Sequence, residues 1–236
     1  MQQELFFIKK QLQYLKIYAI TSSALLVIVF LAAFNGREKK FDIIRARGIV
    51  LEDKAGHDRI LIGSPVPFSK DRVRTDTNLV RKYWAKQFGG DVYMKDYRSY
   101  HNSTDGIIFL NEKGFDKVAI GDKLVDPNTG RRQFTSTGFL WNDDEGFERG
   151  GIGVNKTGDG KYRSVLGLDD DSGEAVHLFT LEDGTKALRI ADKEGFLLIG
   201  TSKANGEWFK NKSSFTGIKY FNNKGEQVWE QAMKRP

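Results

Sequence analysis

The chain has no cysteine, only 4 prolines and only 3 histidines among its 236 residues. Without cysteine there are no disulfide staples, no thiolate metal ligands and no thiol nucleophile. His57, His101 and His177 stand far apart, so no two of them have metal-ligand spacing. The sequence contains no glycine-rich phosphate loop, no His-Glu-x-x-His helix and no nucleophile elbow. Scarce proline set against 25 glycines suits a fold of many tight turns rather than a proline-rich linker. These absences predict a non-catalytic protein with no cofactor and no metal. An enzyme built on carboxylates alone would leave little trace in a sequence, and would require an acidic cluster with shifted pKa values in a cleft.

Charge is unevenly placed. Residues 1–47 hold eight basic side chains against three acidic ones, which leaves only one of the six net positive charges for residues 48–236. The excess therefore flanks the amino-terminal apolar run, where it suits anionic lipid headgroups. A nucleic-acid-binding protein would carry its positive stripe on the folded part, so no nucleic-acid partner is expected.

From Ile17 to Phe34 the chain reads IYAITSSALLVIVFLAAF, with no charged residue. As a helix this covers roughly 27 Å, close to the hydrocarbon thickness of a bilayer. The segment is predicted to be an uncleaved anchor, because no small-x-small cleavage site follows it. Leu5, Ile8, Leu12 and Leu15 begin a three- and four-residue spacing that Ala19, Ser22, Leu26, Val29 and Ala33 continue. Such a stripe suits either packing against a second helix or, in its first part, lying on the membrane surface. The larger basic count after the span favours a cytoplasmic C-terminal domain, whereas the short amino tail has the form of a signal anchor. The preferred orientation is tail inside and domain periplasmic or extracytoplasmic.

Beyond the anchor the chain repeats itself. Glycines recur at 48, 56 and 63, at 106, 114 and 121, and at 138, 146 and 153, and Gly217 and Gly225 repeat the first interval. Asp53, Asn111, Asp143 and Asn222 each stand three residues before the central glycine. That places a side-chain acceptor at the first position of a type I turn and glycine where φ turns positive, the chemistry of a β-hairpin with a bulged loop. Further turns are expected at Asn155–Gly158, Asp170–Gly173 and Asp192–Gly195, with a looser one at Glu182–Gly184. The acids at 169–171 and 159 read as turn residues rather than calcium ligands, since neither loop has the full ligand set. Alternation assigns Ile49, Leu51, Ile60, Ile62, Ile107, Phe109, Val118, Ile120, Phe139, Trp141 and Ile152 to a buried face.

Residues 64–105 interrupt the first two repeats. Asp76 or Thr77 is expected to cap a helix whose stripe is Leu79, Val80, Tyr83, Trp84 and Phe88, with Gly89 ending it. Tyr93, Tyr97 and Tyr100 follow, and residues 70–104 hold eight basic side chains against four acidic ones. Tyr83, Trp84, Tyr93, Tyr97 and Tyr100 are thus the candidate contact residues, and the alternative is a helix that closes one end of the β core.

The predicted fold is mainly β: serial antiparallel β-hairpins, as a sandwich or a solenoid-like stack, preceded by one N-terminal transmembrane helix. Its parts are an amphipathic helix (1–16), a transmembrane helix (17–34), a basic juxtamembrane linker (35–47) and the hairpin domain (48–236) with its insertion (64–105). The expected role is a structural or accessory subunit of a membrane-bound assembly. Its partners would be the lipid bilayer, other membrane subunits and further copies of itself. The alternative is an anchored module that binds an envelope glycan or ligand through the Tyr-rich insertion.

Overall fold

The computed structural model describes residues 2–34, 43–97, 104–126, 128 and 135–233. The chain forms two compact units, Met1–Arg45 and Ala46–Pro236. The basic residues 37, 39 and 40 of the expected linker, and Tyr100, lie outside the described residues.

The first unit contains α1 (Gln2–Phe34), one uninterrupted helix of 33 residues. It is long and apolar enough to cross a membrane, and none of its most apolar window is buried by the protein. Two of its hydroxyls bond within the helix: Thr21 Oγ1 donates to the carbonyls of Ile17 and Tyr18, and Ser22 Oγ to that of Ala19. Such back-bonding lets hydroxyls sit in hydrocarbon without an orphaned donor.

Among the described residues the second unit is built on twelve strands: β1 Gly48–Glu52, β2 Asp58–Gly63, β3 Asp105–Leu110, β4 Asp116–Asp122, β5 Thr135–Asn142, β6 Glu148–Lys156, β7 Tyr162–Asp170, β8 Gly173–Thr180, β9 Lys186–Ala191, β10 Gly195–Ser202, β11 Phe215–Asn222 and β12 Gln227–Ala232. They form a single antiparallel sheet in sequential order from β1 to β12. The serial hairpins thus join side by side, and loops rather than further strands supply the second layer.

The same loop closes six of the turns. In each, the first residue's N–H donates to the carbonyl four residues on, and the glycine N–H donates back to the first residue's carbonyl. The six glycines (56, 114, 146, 160, 184 and 225) have φ between +73° and +89°, the left-handed conformation that ends a type I turn with a bulge. Asp53, Asn111, Asp143 and Asn222 each accept two backbone N–H bonds on Oδ1. Two expected turns are shifted. Asn155 belongs to β6, and the loop after it runs from Thr157 to Gly160. The supposedly looser turn at Gly184 has the regular hydrogen bonds, with Leu181 at its first position.

Register aligns the repeats across the sheet. Ile49, Ile62, Ile107, Ile120, Phe139, Ile152, Leu166, Leu178, Leu188, Ile199 and Ile218 are cross-strand neighbours in one row that ends at Gln231. A second row on the same face runs from Leu51 to Trp229 through Ile60, Phe109, Val118, Trp141, Gly150, Leu168, Val176, Ile190, Leu197 and Tyr220. The expectation that these side chains form the core is corrected here. No side chain of either row is buried by the chain itself; Ile152 is 51% exposed and Leu178 53%. The physical reason lies in the first repeats, where both faces are apolar, so period two cannot say which one the loops cover. This is the open face.

The opposite, covered face holds the core. One row on it is small: Gly48, Gly63, Gly106, Gly121, Gly138 and Gly153 at one end, Gly200 and Gly217 towards the other. A Cβ at Gly138 would lie 2.1 Å from the carbonyl oxygen of Ile152, so the strands approach more closely there than any side chain permits. Beside that row Leu61, Ile108 and Leu110 pack with Val66.

Two segments roof this face. The insertion carries Val73–Thr75 as a 3-10 turn, α2 (Thr77–Val80) continued by a π-helical turn (Arg81–Ala85), and α3 (Asp91–Tyr97). Asp76 caps α2 as expected, accepting from Asn78 N at 2.8 Å. Arg72 and Asp116 form a buried two-bond ion pair (2.8 and 2.6 Å) that ties the insertion to β4. At the other end the β10–β11 loop seats Phe209 among Phe179, Ala187, Leu198, Phe215 and Phe221.

Candidate functional site

The five aromatic candidates of the insertion can be placed first. Trp84, Tyr93 and Tyr97 are buried in one cluster with Val73, Val80, Ala85 and Phe115, and Tyr83 packs partly buried against it. Tyr93 and Tyr97 stack at 6.1 Å, and the Tyr97 hydroxyl donates to the Arg74 carbonyl. Tyr83 meets Phe115 edge-on at 5.0 Å. Four of the five therefore come together, but as the interior of a cover that closes the β3–β4 and β5–β6 turns. In this conformation the rings of Trp84, Tyr93 and Tyr97 present no surface to a ligand, while Tyr83 stays partly exposed, with Lys82 Nζ 4.9 Å from its ring centroid.

A different site lies on the covered face between the two roofs. Gly151 and Gly167 are paired neighbours, flanked in their row by Leu140 and His177. Both glycines line the floor of a cleft of about 300 Å³; Gly167 has open space above it, whereas Leu140 leans over Gly151, where a Cβ would stand 2.6 Å from Leu140 Cδ2. One wall is formed by Leu124, Asp126 and Asn128, which follow β4: Ser136 Oγ donates to the Leu124 carbonyl at 3.0 Å, and Asn128 Oδ1 accepts the Glu148 N–H at 3.1 Å. On another side the His177 ring packs on Phe179 at 4.9 Å, and Trp208 of the C-terminal roof closes over both.

Asp126, Glu148, Asp169 and Glu174 converge on this cleft, with His177 beside them. Burial pushes the Glu148 carboxyl up to about 8, and Asp126, Asp169 and Glu174 add to the shift. Asp169 is pushed up to about 6, by burial first and then by Glu174 and Asp126, with Arg149 opposing. Burial holds His177 below the usual imidazole range, although Glu174 Oε2 stands 3.5 Å from its Nδ1. At neutral pH Glu148 thus keeps its proton as a donor while Asp169 is ionised as an acceptor, a division of roles that carboxylate pairs use in acid–base chemistry and in binding polar ligands. Among the described residues no group of three or more His, Asp or Glu has the geometry to hold a metal ion.

Of the cleft acids only Asp169 stands in the acidic run that the sequence marks as a turn; its neighbours there do serve the turn, Asp170 accepting from Ser172 N at 2.7 Å and Asp171 pairing with Arg149 at 2.8 Å, while nothing local marks Asp126 or Glu148. The usable signal was Gly151 and Gly167, glycines inside strands at positions the turn pattern does not require.

A pH test follows from Glu148. Its folded pKa of about 8 exceeds its ordinary 4.5, so the folded chain holds the extra proton between those values. Stability contributed by the protonated form is fully present below about 4.5, falls as pH rises, and is lost above about 8. Glu148→Gln removes that slope. The full shift sets a ceiling of about 5 kcal/mol, and with solvent in the cleft a gain on the order of 2 kcal/mol at pH 8 is expected, with none near pH 4.5. Urea unfolding of both chains at the two pH values measures it; parallel pH profiles would rule out the shifted carboxyl.

No protein-family model matches this chain, and no curated protein or solved structure is significantly similar to it.

Proposed function

We propose that this chain is a non-catalytic, membrane-anchored structural or accessory subunit of a membrane-bound assembly, with its β unit on the periplasmic or extracytoplasmic side. The observation that carries the reading is the open face. Two apolar rows across eleven strand spacings make a stripe about 53 Å by 14 Å, about 700 Å², from strand separation and rise. That is larger than the roughly 300–600 Å² patch usual on a monomer. The outermost strands, β1 and β12, are exposed along their whole length and, among the described residues, present two further unpaired edges. A candidate membrane helix at the amino terminus holds such a surface close to other membrane proteins.

The chain extracted in mild detergent from its native membrane should sediment as a particle heavier than one copy. A monodisperse single chain that retains no other protein would end this reading.

A second reading rests on the cleft. Its acids, Asn128, Asn155 and Ser136 suit a small ligand that is cationic or rich in hydroxyls. Such a ligand would raise the melting temperature of the parent chain but not that of Asp169→Asn.

A further inference from the structure

Resting on the subunit reading, we infer that the occupant of the open face is a second copy of this chain, packed sheet on sheet about a two-fold axis that runs along the strands between β6 and β7. Three observations select a second copy. The first is area: two stripes of about 700 Å² bury roughly 1,400 Å² together, within the range of specific, stable interfaces.

The second is the rim. The next row on this face is Asp105, Asp122, Thr137, Val154, Ser164, Thr180, Lys186, Thr201 and Thr216. An apolar centre with a hydroxyl border is the anatomy of a protein interface. A face meant for anionic headgroups would be bordered by lysine and arginine instead.

The third is charge. In that row the acids lie towards one end of the sheet, on β3 and β4, and Lys186 lies towards the other, on β9. Rotation about an axis along the strands reverses strand order between copies, so β4 faces the partner's β9. Asp122 then meets Lys186 twice, once on each side of the axis. Residue 46, where the β unit begins, falls at the same end of both copies, as two anchors in one bilayer require. The neighbouring sheets would stand about 10 Å apart, the spacing at which side chains of two inner faces interdigitate.

The test uses the full chain in nanodiscs, where the absence of cysteine makes any introduced thiol unique. Nitroxides at Ser164→Cys, beside the axis, should couple at under about 20 Å, whereas those at Lys54→Cys, in the β1–β2 turn, should lie about 50 Å apart. Ile152→Asp, beside the axis on β6, buries a carboxylate against the apolar row of the partner's β7 and should weaken the dimer at least about 100-fold while the circular dichroism spectrum stays that of the parent. Asp122→Lys and Lys186→Asp should each weaken it, and together restore it. A particle heavier than one chain with uncoupled Ser164 labels and no response to Ile152→Asp overturns the homodimer and leaves the subunit reading standing. So does a single copy bound to a different protein through this face. A lone monomer overturns both.

Discussion

Trp84→Ala is expected to lower the unfolding free energy by about 3–5 kcal/mol, the range for deleting a large aromatic from a packed interior. Trp84 is fully buried. Its ring carries the Arg74 guanidinium at 3.9 Å on one side and meets Phe115 and Phe147 at 5.8 and 6.3 Å. Its Nε1 donates to the Gly146 carbonyl at 3.3 Å. A Cβ at Gly146 would stand 2.9 Å from the indole, so the turn glycine and the ring are fitted to each other. Phe115 and Phe147 follow the turn glycines of two successive hairpins, so the indole adds an apolar joint between repeats already linked by strand pairing, by Asn111 Nδ2 donating to the Asp144 carbonyl at 2.9 Å and by the Lys117–Asp144 pair at 2.8 Å. Removal leaves a cavity, an unpaired turn carbonyl and a guanidinium without its platform, and these losses add in one direction. A residue whose task was to touch a ligand would behave differently, since exposed positions usually change stability by less than about 0.5 kcal/mol. Chemical denaturation of the β unit measures the difference. A loss below about 1 kcal/mol would mean that the insertion is not part of the core.

The hairpins were legible in the sequence because they depend on local chemistry. Gly56, Gly114, Gly146 and Gly225 must take positive φ, and an Asp or Asn three residues earlier satisfies the turn from its own side chain. Where the side-chain signal is weaker the same backbone loop still forms, with Leu181 at its first position before Gly184, and alternation alone does not find it. The helix cap at Asp76 was readable for the same reason as the turns: donor and acceptor lie two or three residues apart.

Which face of the sheet the chain covers was not legible. Val50, Leu61 and Ile108 alternate with Ile49, Ile60, Ile62, Ile107 and Phe109, and all are aliphatic or aromatic. The choice between the two sets is made by residues 64–97 and by the β10–β11 loop, whose routes follow long-range bonds such as Val73 N–H to the Gly114 carbonyl. No periodicity encodes such a bond. The acidic cleft was hidden for a related reason. Asp126, Glu148 and Asp169 stand well apart in sequence and converge only because β4 to β8 are consecutive neighbours in the sheet. The Tyr-rich insertion had the composition of a contact surface because a cover made of few residues needs large rings to bury enough area. Size and composition alone could not separate those two uses.

The ion pair beneath that cover sets the last expectation: Asp116→Ala should cost about 3–5 kcal/mol, more than its own lost contacts explain. Asp116 accepts from Arg72 Nε and Nη2 at 2.8 and 2.6 Å, and Arg74 Nε lies 3.9 Å from the same carboxylate. All three side chains are buried. Two buried guanidiniums thus approach one carboxylate, and deleting it removes the two-bond partner of Arg72 and a neighbouring charge of Arg74 in a medium that solvates charge poorly. Asp116→Asn keeps the shape but not the charge and should lose nearly as much. Arg72→Met combined with Asp116→Leu removes one cation together with the anion and should recover part of the loss, with Arg74 limiting the recovery. The position of the pair explains why the fold accepts its desolvation cost. Residues 71–73 are laid against two turns at once, through Asp71 Oδ2 accepting the Asp58 N–H at 2.9 Å and Val73 N–H donating to the Gly114 carbonyl at 2.9 Å. An apolar contact would hold the insertion there in many registers, whereas a two-bond guanidinium–carboxylate pair holds it in one. A double variant as unstable as Asp116→Ala would show that the two charges are not coupled. A stable one with a mobile insertion, seen as faster amide exchange over residues 71–97, would show that the pair fixes position rather than stability.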